Sequence, residues 1–366
     1  MKGINDLARH IEPMKRELQA AVTEVLGSGW YILGPKVGEF ETAFARYCGV
    51  AHCVSVANGT DALELALRAL GIGPGAFVAT VANAGMYSTT AIRAVGATPA
   101  FVDIDAESLL MDADALDRLL ASQRVDAVIA THLYGAMADV RRVARSCSGA
   151  GVALIEDCAQ AHGAEMAGTR AGAFSDAGCY SFYPTKNLGA LGDGGAVVTS
   201  RDDLAERLRR LRQYGWTSKY ASGDPGGRNS RLDEMQAAIL CVMLPHLDRW
   251  NARRREIART YSSEIRNTRV RCPGVEAVSG DGYVGHLYVV RAQDRDDLKR
   301  HLSAHAIPFD VHYPIPDHLQ QSLNGAFAAA ILPATERACK EVITLPIFPE
   351  MTDEEQRQVV GCVNGW

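Results

Sequence analysis

Between Cys53 and Thr199 the apolar residues gather in short runs: Cys53 to Ala57, Phe77 to Ala82, Pro99 to Ile104, Ala127 to Thr131, Val152 to Ile155, Gly178 to Phe182 and Ala196 to Thr199. The stretches between them carry apolar residues at helical spacing, so strand and helix alternate along the chain. That alternation predicts an α/β fold in which a mostly parallel sheet is covered by helices. In such a sheet the ligand site lies at the carboxyl ends of the strands. Asp61 followed by Glu64 reads as a capping box opening a helix, with Leu63, Leu67 and Leu70 on one face. A second helical stripe runs from Leu232 to Trp250 through Met235, Ala238, Ile239, Val242 and Met243, and Pro245 should interrupt it. Beyond it come an Arg-rich helical stretch over Asn251 to Arg266, segments punctuated by Pro and Gly, and a final acidic helix from Asp353. The change in pattern divides the chain into a large domain with an N-terminal segment, residues 1–249, and a smaller α/β C-terminal domain, residues 250–366.

Composition narrows the class of protein. The chain has 366 residues, of which 47% are apolar and 22% charged, so it can bury a large core without disulfide or metal staples. With 38 basic and 43 acidic residues the net charge is −5, and the longest like-charge run that stands out is Arg253-Arg254-Arg255. This balance argues against a nucleic-acid or membrane-surface partner. Every apolar run is broken well short of the roughly 18 to 20 residues that cross a bilayer. Met1 to Gly29 carries Asp6, Arg9, Glu12, Lys15, Arg16 and Glu17 and lacks the apolar core of a signal peptide, so the expected location is cytoplasmic. The nine cysteines are scattered and form no C-x-x-C pair. They read as small buried hydrophobes in a reducing compartment, with no metal or disulfide role.

Three segments carry candidate chemistry. The apolar run ending in Ile155 leads into Glu156-Asp157, which sets Asp157 at the carboxyl edge of the sheet. An acid in that place is most often a turn or cap residue. Ser181-Phe182-Tyr183-Pro184-Thr185-Lys186-Asn187 follows the next strand, and a loop lysine is ordinarily a solvated charge. Leaving a strand beside a hydroxyl, with an acid at the neighbouring strand's end, Lys186 instead suits a Schiff-base lysine. Asn58-Gly59-Thr60 lies between a strand and a helix, where unpaired amides and the helix dipole attract an anion such as phosphate. Gly192-Asp193-Gly194-Gly195 reads as a tight turn before the following strand. Phosphate turn, acid and lysine in this order are what pyridoxal 5'-phosphate (PLP) requires: the acid keeps the pyridine nitrogen protonated, and the lysine holds the aldehyde and moves the proton.

These segments, together with Gly96-Ala97-Thr98-Pro99 leading to Phe101-Val102-Asp103-Ile104-Asp105, Glu156-Asp157-Cys158-Ala159-Gln160-Ala161-His162-Gly163, and Gly227-Arg228-Asn229-Ser230-Arg231 before Gln236-Ala237-Ala238, make the chain resemble the DegT/DnrJ-type nucleotide-sugar aminotransferases of PLP fold type I. The resemblance runs from Gly34 to Phe348. It implies a three-layer αβα large domain on a mostly parallel seven-stranded sheet, plus a smaller α/β C-terminal domain. It also implies that Lys186 bonds the cofactor, that Asp157 pairs with the pyridinium nitrogen, and that Gln160 lies against the ring and its 3-oxygen. Gly59, Thr60 and Ser181 become phosphate ligands. Asn229 matches a position that reaches the phosphate of the other subunit, which implies a homodimer with a shared site.

Where many members place an aromatic that stacks on the cofactor, this chain has Gly85, which leaves the neighbours Met86 and Tyr87 to cover the ring, Tyr87 being preferred for its π-stacking surface. Tyr183, His312 and His318 are the implied sugar-pocket residues, while His162 and His286 read equally as site or packing residues. Arg212, Arg228 and Arg231 carry no assigned role. The wording of Ser181 to Ala190, and of His312-Tyr313-Pro314-Ile315-Pro316-Asp317-His318, resembles the branch that aminates C3 of dTDP-linked 3-keto-6-deoxyhexoses with L-glutamate as donor. Amination at C4 of a nucleotide-linked keto sugar, and a non-catalytic PLP-binding homologue, stand as alternatives. Lys186 argues against the dehydratases of this fold, which carry histidine there. The absence of G-x-G-x-x-G after the first strand argues against a dinucleotide-binding protein.

Overall fold

The computed structural model describes residue 1 and residues 3–366. All seven apolar runs become strands of one sheet: β1 His52–Val56, β2 Phe77–Val81, β3 Thr98–Val102, β4 Ala127–Thr131, β5 Ala153–Asp157, β6 Ala177–Ser181 and β7 Gly195–Thr199. Their spatial order is β1-β7-β6-β5-β4-β2-β3. β7 runs antiparallel to both neighbours, and every other pairing is parallel. Side chains alternate across the sheet as the two-residue period demands. Ala79, Val81, Val128, Ala130 and Leu154 point into a core shared with Phe40, Phe44 and Leu116. Val78, Ala127, Ile129 and Ile155 point into a second core with Leu65, Leu67 and Ile92. The result is a three-layer αβα unit.

The helix expected from Asp61 begins two residues earlier and runs Gly59–Ala69. Its cap is Asn58, whose side chain accepts the Asp61 amide at 2.8 Å. Glu64 is therefore not half of a capping box; it is buried and holds Arg68 at 2.9 Å, with Arg228 on its other oxygen. Spacing alone misreads this end because Asn58, three residues before Asp61, is the better-placed acceptor. A true capping box, Thr352 with Glu355, starts the last helix, Asp353–Asn364. Pro245 does interrupt its helix: Glu234–Met243 gives way to a 3₁₀ turn over Leu244–His246, and a new helix spans Leu247–Glu264.

This new helix carries the chain from one core to the next. Leu247 and Trp250 belong to the first core of the sheet, whereas Ile257, Ala258 and Tyr261 belong to a third. The third core lies against the antiparallel strands β8 Val270–Arg271, β9 Tyr288–Ala292 and β10 Val342–Leu345. The N-terminal segment joins this smaller unit: the Ile347 amide donates to the Ile4 carbonyl, Arg9 pairs with Glu355 at 2.8 Å and His10 with Glu350 at 2.8 Å. Among the described residues, no helix is long and apolar enough to cross a membrane. The nine cysteines are all free thiols, and seven of them are buried.

Candidate active site

A cavity of about 620 Å³ opens at the carboxyl ends of β5 and β6 and is closed from the other side by the small unit. Each wall has a local cause. β5 ends at Asp157, β6 ends at Ser181, and the helix starting at Gly59 aims its first turn at the same space. The amides of Gly59 and Thr60 have no partner among the described residues, which leaves the positive end of the helix bare. Close approach dictates the glycines here. A Cβ on Gly59 would come within 2.6 Å of the Ser181 Cβ, and one on Gly195 within 2.4 Å of the Asn58 carbonyl carbon. Gly195 is thus more than part of a turn: as the first residue of β7, it lets the Asn58-Gly59 turn lie flat against the strand.

Lys186 and Asp157 line the cavity together. Burial depresses the Lys186 ammonium to about 8, partly offset by the Asp157 charge. Burial likewise raises Asp157 above the ordinary carboxylate range, against the Ala159 amide, Lys186, His132 and Ser88, which favour the charged form. Its carboxylate accepts only the Ala159 amide at 3.1 Å and, at the limit of a hydrogen bond, the Ser88 hydroxyl at 3.5 Å. A buried carboxylate so sparsely satisfied has capacity for a further strong donor. Gln160 is tied at both ends: its Oε1 accepts the Tyr134 amide at 2.6 Å, and its Nε2 donates to the Tyr313 hydroxyl at 3.1 Å.

The cavity collects Gly59, Thr60, Asp157, Gln160, Ser181, Lys186, Tyr87, Tyr183 and His312. Two of the expected residues lie elsewhere. His318 is buried off the cavity, its Nε2 3.4 Å from Glu336 and its ring against Phe101, because the 3₁₀ turn Asp317–Leu319, of which it is the middle residue, directs it into the protein. Asn229 is exposed and bridges backbone to Gln213, away from this chain's own cavity. His162 sits between Tyr180 and Phe182, with neither ring nitrogen partnered, and burial beside Lys186 depresses it to about 3. Arg212 is committed to Glu41 and Ser55, and Arg228 to Glu64 and Asp61.

Tyr313 is the residue sequence reasoning passed over. Gly85 has a positive φ of 74°, and a Cβ there would lie 2.9 Å from the Tyr313 ring. The space left by a missing aromatic at 85 is therefore filled by an aromatic from the C-terminal segment. Tyr87 stands beside it, half exposed, its ring edge-on at 6.1 Å. The one signal was the absence at position 85, read beside the tyrosine that follows His312. Ile4 and Asn5 also line the cavity, and Asn5 donates to the Thr185 carbonyl at 3.4 Å. Nothing in the N-terminal pattern announced them.

Fold and cavity together define a class, and the comparisons place the chain within it. The model of the DegT/DnrJ/EryC1/StrS aminotransferase family matches residues 12–364, and the chain belongs to that family. Among its relatives, dTDP-3-amino-3,4,6-trideoxy-alpha-D-glucose transaminase of Streptomyces venezuelae is 43% identical, over 99% of this chain and 95% of its own. The dTDP-3-amino-3,6-dideoxy-alpha-D-galactopyranose transaminase of Aneurinibacillus thermoaerophilus is 44% identical over 96% of this chain and 95% of its own. The crystal structure of DesV from S. venezuelae superposes with a TM-score of 0.93 at 41% identity, covering 99% of this chain and 97% of that one.

Proposed function

We propose that this aminotransferase moves the amino group of L-glutamate to the C3 ketone of a dTDP-linked 3-keto-6-deoxyhexose, using PLP, in the biosynthesis of a 3-amino deoxysugar. The observation that carries the reading is one cavity holding a half-buried lysine, a buried and under-satisfied carboxylate and a bare helix N-terminus. The residues fit the cofactor. Gly59, Thr60 and Ser181 would hold its phosphate, Asp157 its ring nitrogen, Gln160 its 3-oxygen and Lys186 its aldehyde carbon. When bound, PLP supplies an electron sink for the carbon that gains or loses the amino group.

The chain's own part is binding and proton handling. Asp157, buried and with one good donor of its own, would pair with a protonated ring nitrogen. Lys186 Nζ, the amine that lines the cavity beside Asp157, would hold the cofactor's aldehyde carbon and serve as the acid/base that moves the proton. Its depressed pKa makes the neutral amine available near pH 7, where an ordinary lysine is almost wholly protonated. Tyr313 and Tyr87 cover the mouth, and Tyr183 and His312 face the sugar.

C3 rather than C4 is favoured by the resemblance of Ser181 to Ala190 to the C3-aminating branch and by the names of the two relatives. The dTDP preference rests on the same two supports. A homodimer with a shared site is favoured by the exposed aromatics Trp30, Tyr31, Tyr214 and Tyr220 and by Asn229, which is free to reach a second copy. In this reading, residues 1–249 and 250–366 form the large and small domains that enclose the cavity, with the first residues of the chain reaching across to pack on the small one, in a cytoplasmic enzyme. The test is an absorbance spectrum of the purified, PLP-loaded protein. A visible band that moves into the near ultraviolet on adding L-glutamate, and returns on adding the keto sugar, supports the whole reading. A protein that takes up no PLP removes it.

A further inference from the structure

His286 lies on the loop before β9, is 6% exposed, and lines the cavity that holds Lys186. Its Nδ1 is 3.0 Å from Asn187 Oδ1. Which atom donates follows from the other side of Asn187. Asn187 Nδ2 is 2.9 Å from the Val284 carbonyl and 2.8 Å from Asn251 Oδ1, and a backbone carbonyl can only accept. Asn251 is oriented the same way, since its Nδ2 donates to the His162 carbonyl at 2.8 Å. The amide of Asn187 therefore has one allowed orientation, its Oδ1 is an acceptor, and the proton of the His286 ring sits on Nδ1.

A second proton on that ring is opposed from every side. Burial comes first, then the charges of Lys186 and Arg254, then His162 and His312. Arg254 is itself pinned beneath the loop by the carbonyls of Gly285 and Ile347, at 3.2 and 2.8 Å. The ring is thus a neutral imidazole of fixed tautomer, with a bare lone pair on Nε2. Unlike both nitrogens of His162, which are sealed in the core, Nε2 is not enclosed, and it has no partner among the described residues.

We propose that His286 is a specificity-determining residue that accepts, through Nε2, a hydrogen bond from a hydroxyl of the sugar substrate. This rests on the function proposed above. The chemistry selects between the two substrates of that reaction. Away from its reacting amine, L-glutamate offers carboxylate oxygens, which seek donors and gain nothing from a lone pair. A deoxysugar offers hydroxyls, which can donate. A site that must take both ligands in turn can favour the sugar through a group that only accepts. Asn187 and Asn251 act as positioning residues that hold the ring in the accepting tautomer.

The test uses the full-length, PLP-loaded protein. In the wild type labelled with ¹⁵N-histidine, one histidine should show a protonated Nδ1 and a bare Nε2 at all values from about pH 5 to about pH 8. Its Nε2 resonance should move on adding a dTDP-linked 3-amino-3,6-dideoxyhexose and stay put with L-glutamate. His286→Phe should lower kcat/KM for the sugar half-reaction roughly tenfold more than for the glutamate half-reaction, the size of one lost neutral hydrogen bond. Asn187→Leu, which releases the tautomer while leaving the ring, should shift the Nε2 signal and lower the sugar half-reaction in the same sense. A protonated Nε2 in the wild type, an Nε2 resonance blind to the sugar, or equal losses in both half-reactions would overturn the proposal. Those outcomes leave the glutamate-dependent spectral change intact, so they are distinct from failure of the aminotransferase reading itself.

Discussion

Glu156 and Asp157 are adjacent carboxylates at the end of one strand, both buried, and they face opposite sides of the sheet. Glu156 accepts from His132 Nε2 and the amides of Gly172 and Phe174, each at 2.9 Å, and from the Ser175 hydroxyl at 2.8 Å. Burial pushes its pKa up, but these partners overcome it and hold the group below the usual range. Asp157 has one good donor and one marginal one, and for it burial wins. The same chemical group, one residue apart, thus becomes a structural anchor on one face and an unsatisfied binding element on the other. The count of donors, rather than depth of burial, separates the two roles.

The contrast can be pressed experimentally. The largest expected effect sits opposite Asp157: Lys186→Ala should reduce turnover by at least about 10⁴-fold while PLP is still retained by the remaining contacts, as read by steady-state rates and by cofactor content after gel filtration. Asp157→Asn should lower turnover by roughly 10² to 10⁴-fold with little change in thermal midpoint. Glu156→Ala should do the reverse, costing about 3–5 kcal/mol of stability in a denaturant titration, because it strips the partner from His132 and orphans the buried Gly172 amide and the half-buried Phe174 amide. Should Asp157→Asn unfold the protein while Glu156→Ala merely slows it, the division of roles is wrong.

Two smaller effects sharpen the comparison through pH. Capture of PLP by the cofactor-free protein requires neutral Lys186, so its rate should rise with pH to a midpoint near about 8. Asp157→Asn should move that midpoint down, since the aspartate charge is what raises it. The smallest effect belongs to Asp317, which accepts from the Met86 amide at 2.9 Å and the Thr89 hydroxyl at 2.6 Å, and so pins the His312-Tyr313 segment over Gly85. Burial raises it from 3.8 to about 6. The folded state therefore binds the proton more tightly than the unfolded chain. Stability is greatest below the unfolded pKa and declines as pH rises from about 4 to about 6, by at most about 3 kcal/mol. Asp317→Asn should flatten that part of the stability curve.

Much of this was written in short-range pattern. The seven apolar runs became the seven strands of one sheet to within a residue or two at each end, because a four- to six-residue apolar run between turns has one good way to be buried on both faces. Proline at 245 ended its helix for an equally local reason, the missing amide. The helix start at Gly59 was misassigned to Asp61 although Asn58 was in plain view, since two acceptors three residues apart compete and only backbone geometry chooses between them.

What the sequence by itself determined is the layered sheet and the residues delivered to its carboxyl edge: Asp157, Ser181, Lys186 and the Gly59 turn. Each follows a strand, and the end of a parallel strand is a fixed address. The tertiary structure alone decided everything that reaches the cavity from far along the chain. It set Tyr313 in the space above Gly85, turned His318 inward, brought Ile4 and Asn5 to the wall, and fixed the ring of His286 through Asn187. It also settled which of two neighbouring acids is satisfied. Those outcomes depend on contacts between residues far apart in the chain, and on counting the donors around each buried group, neither of which a local pattern encodes.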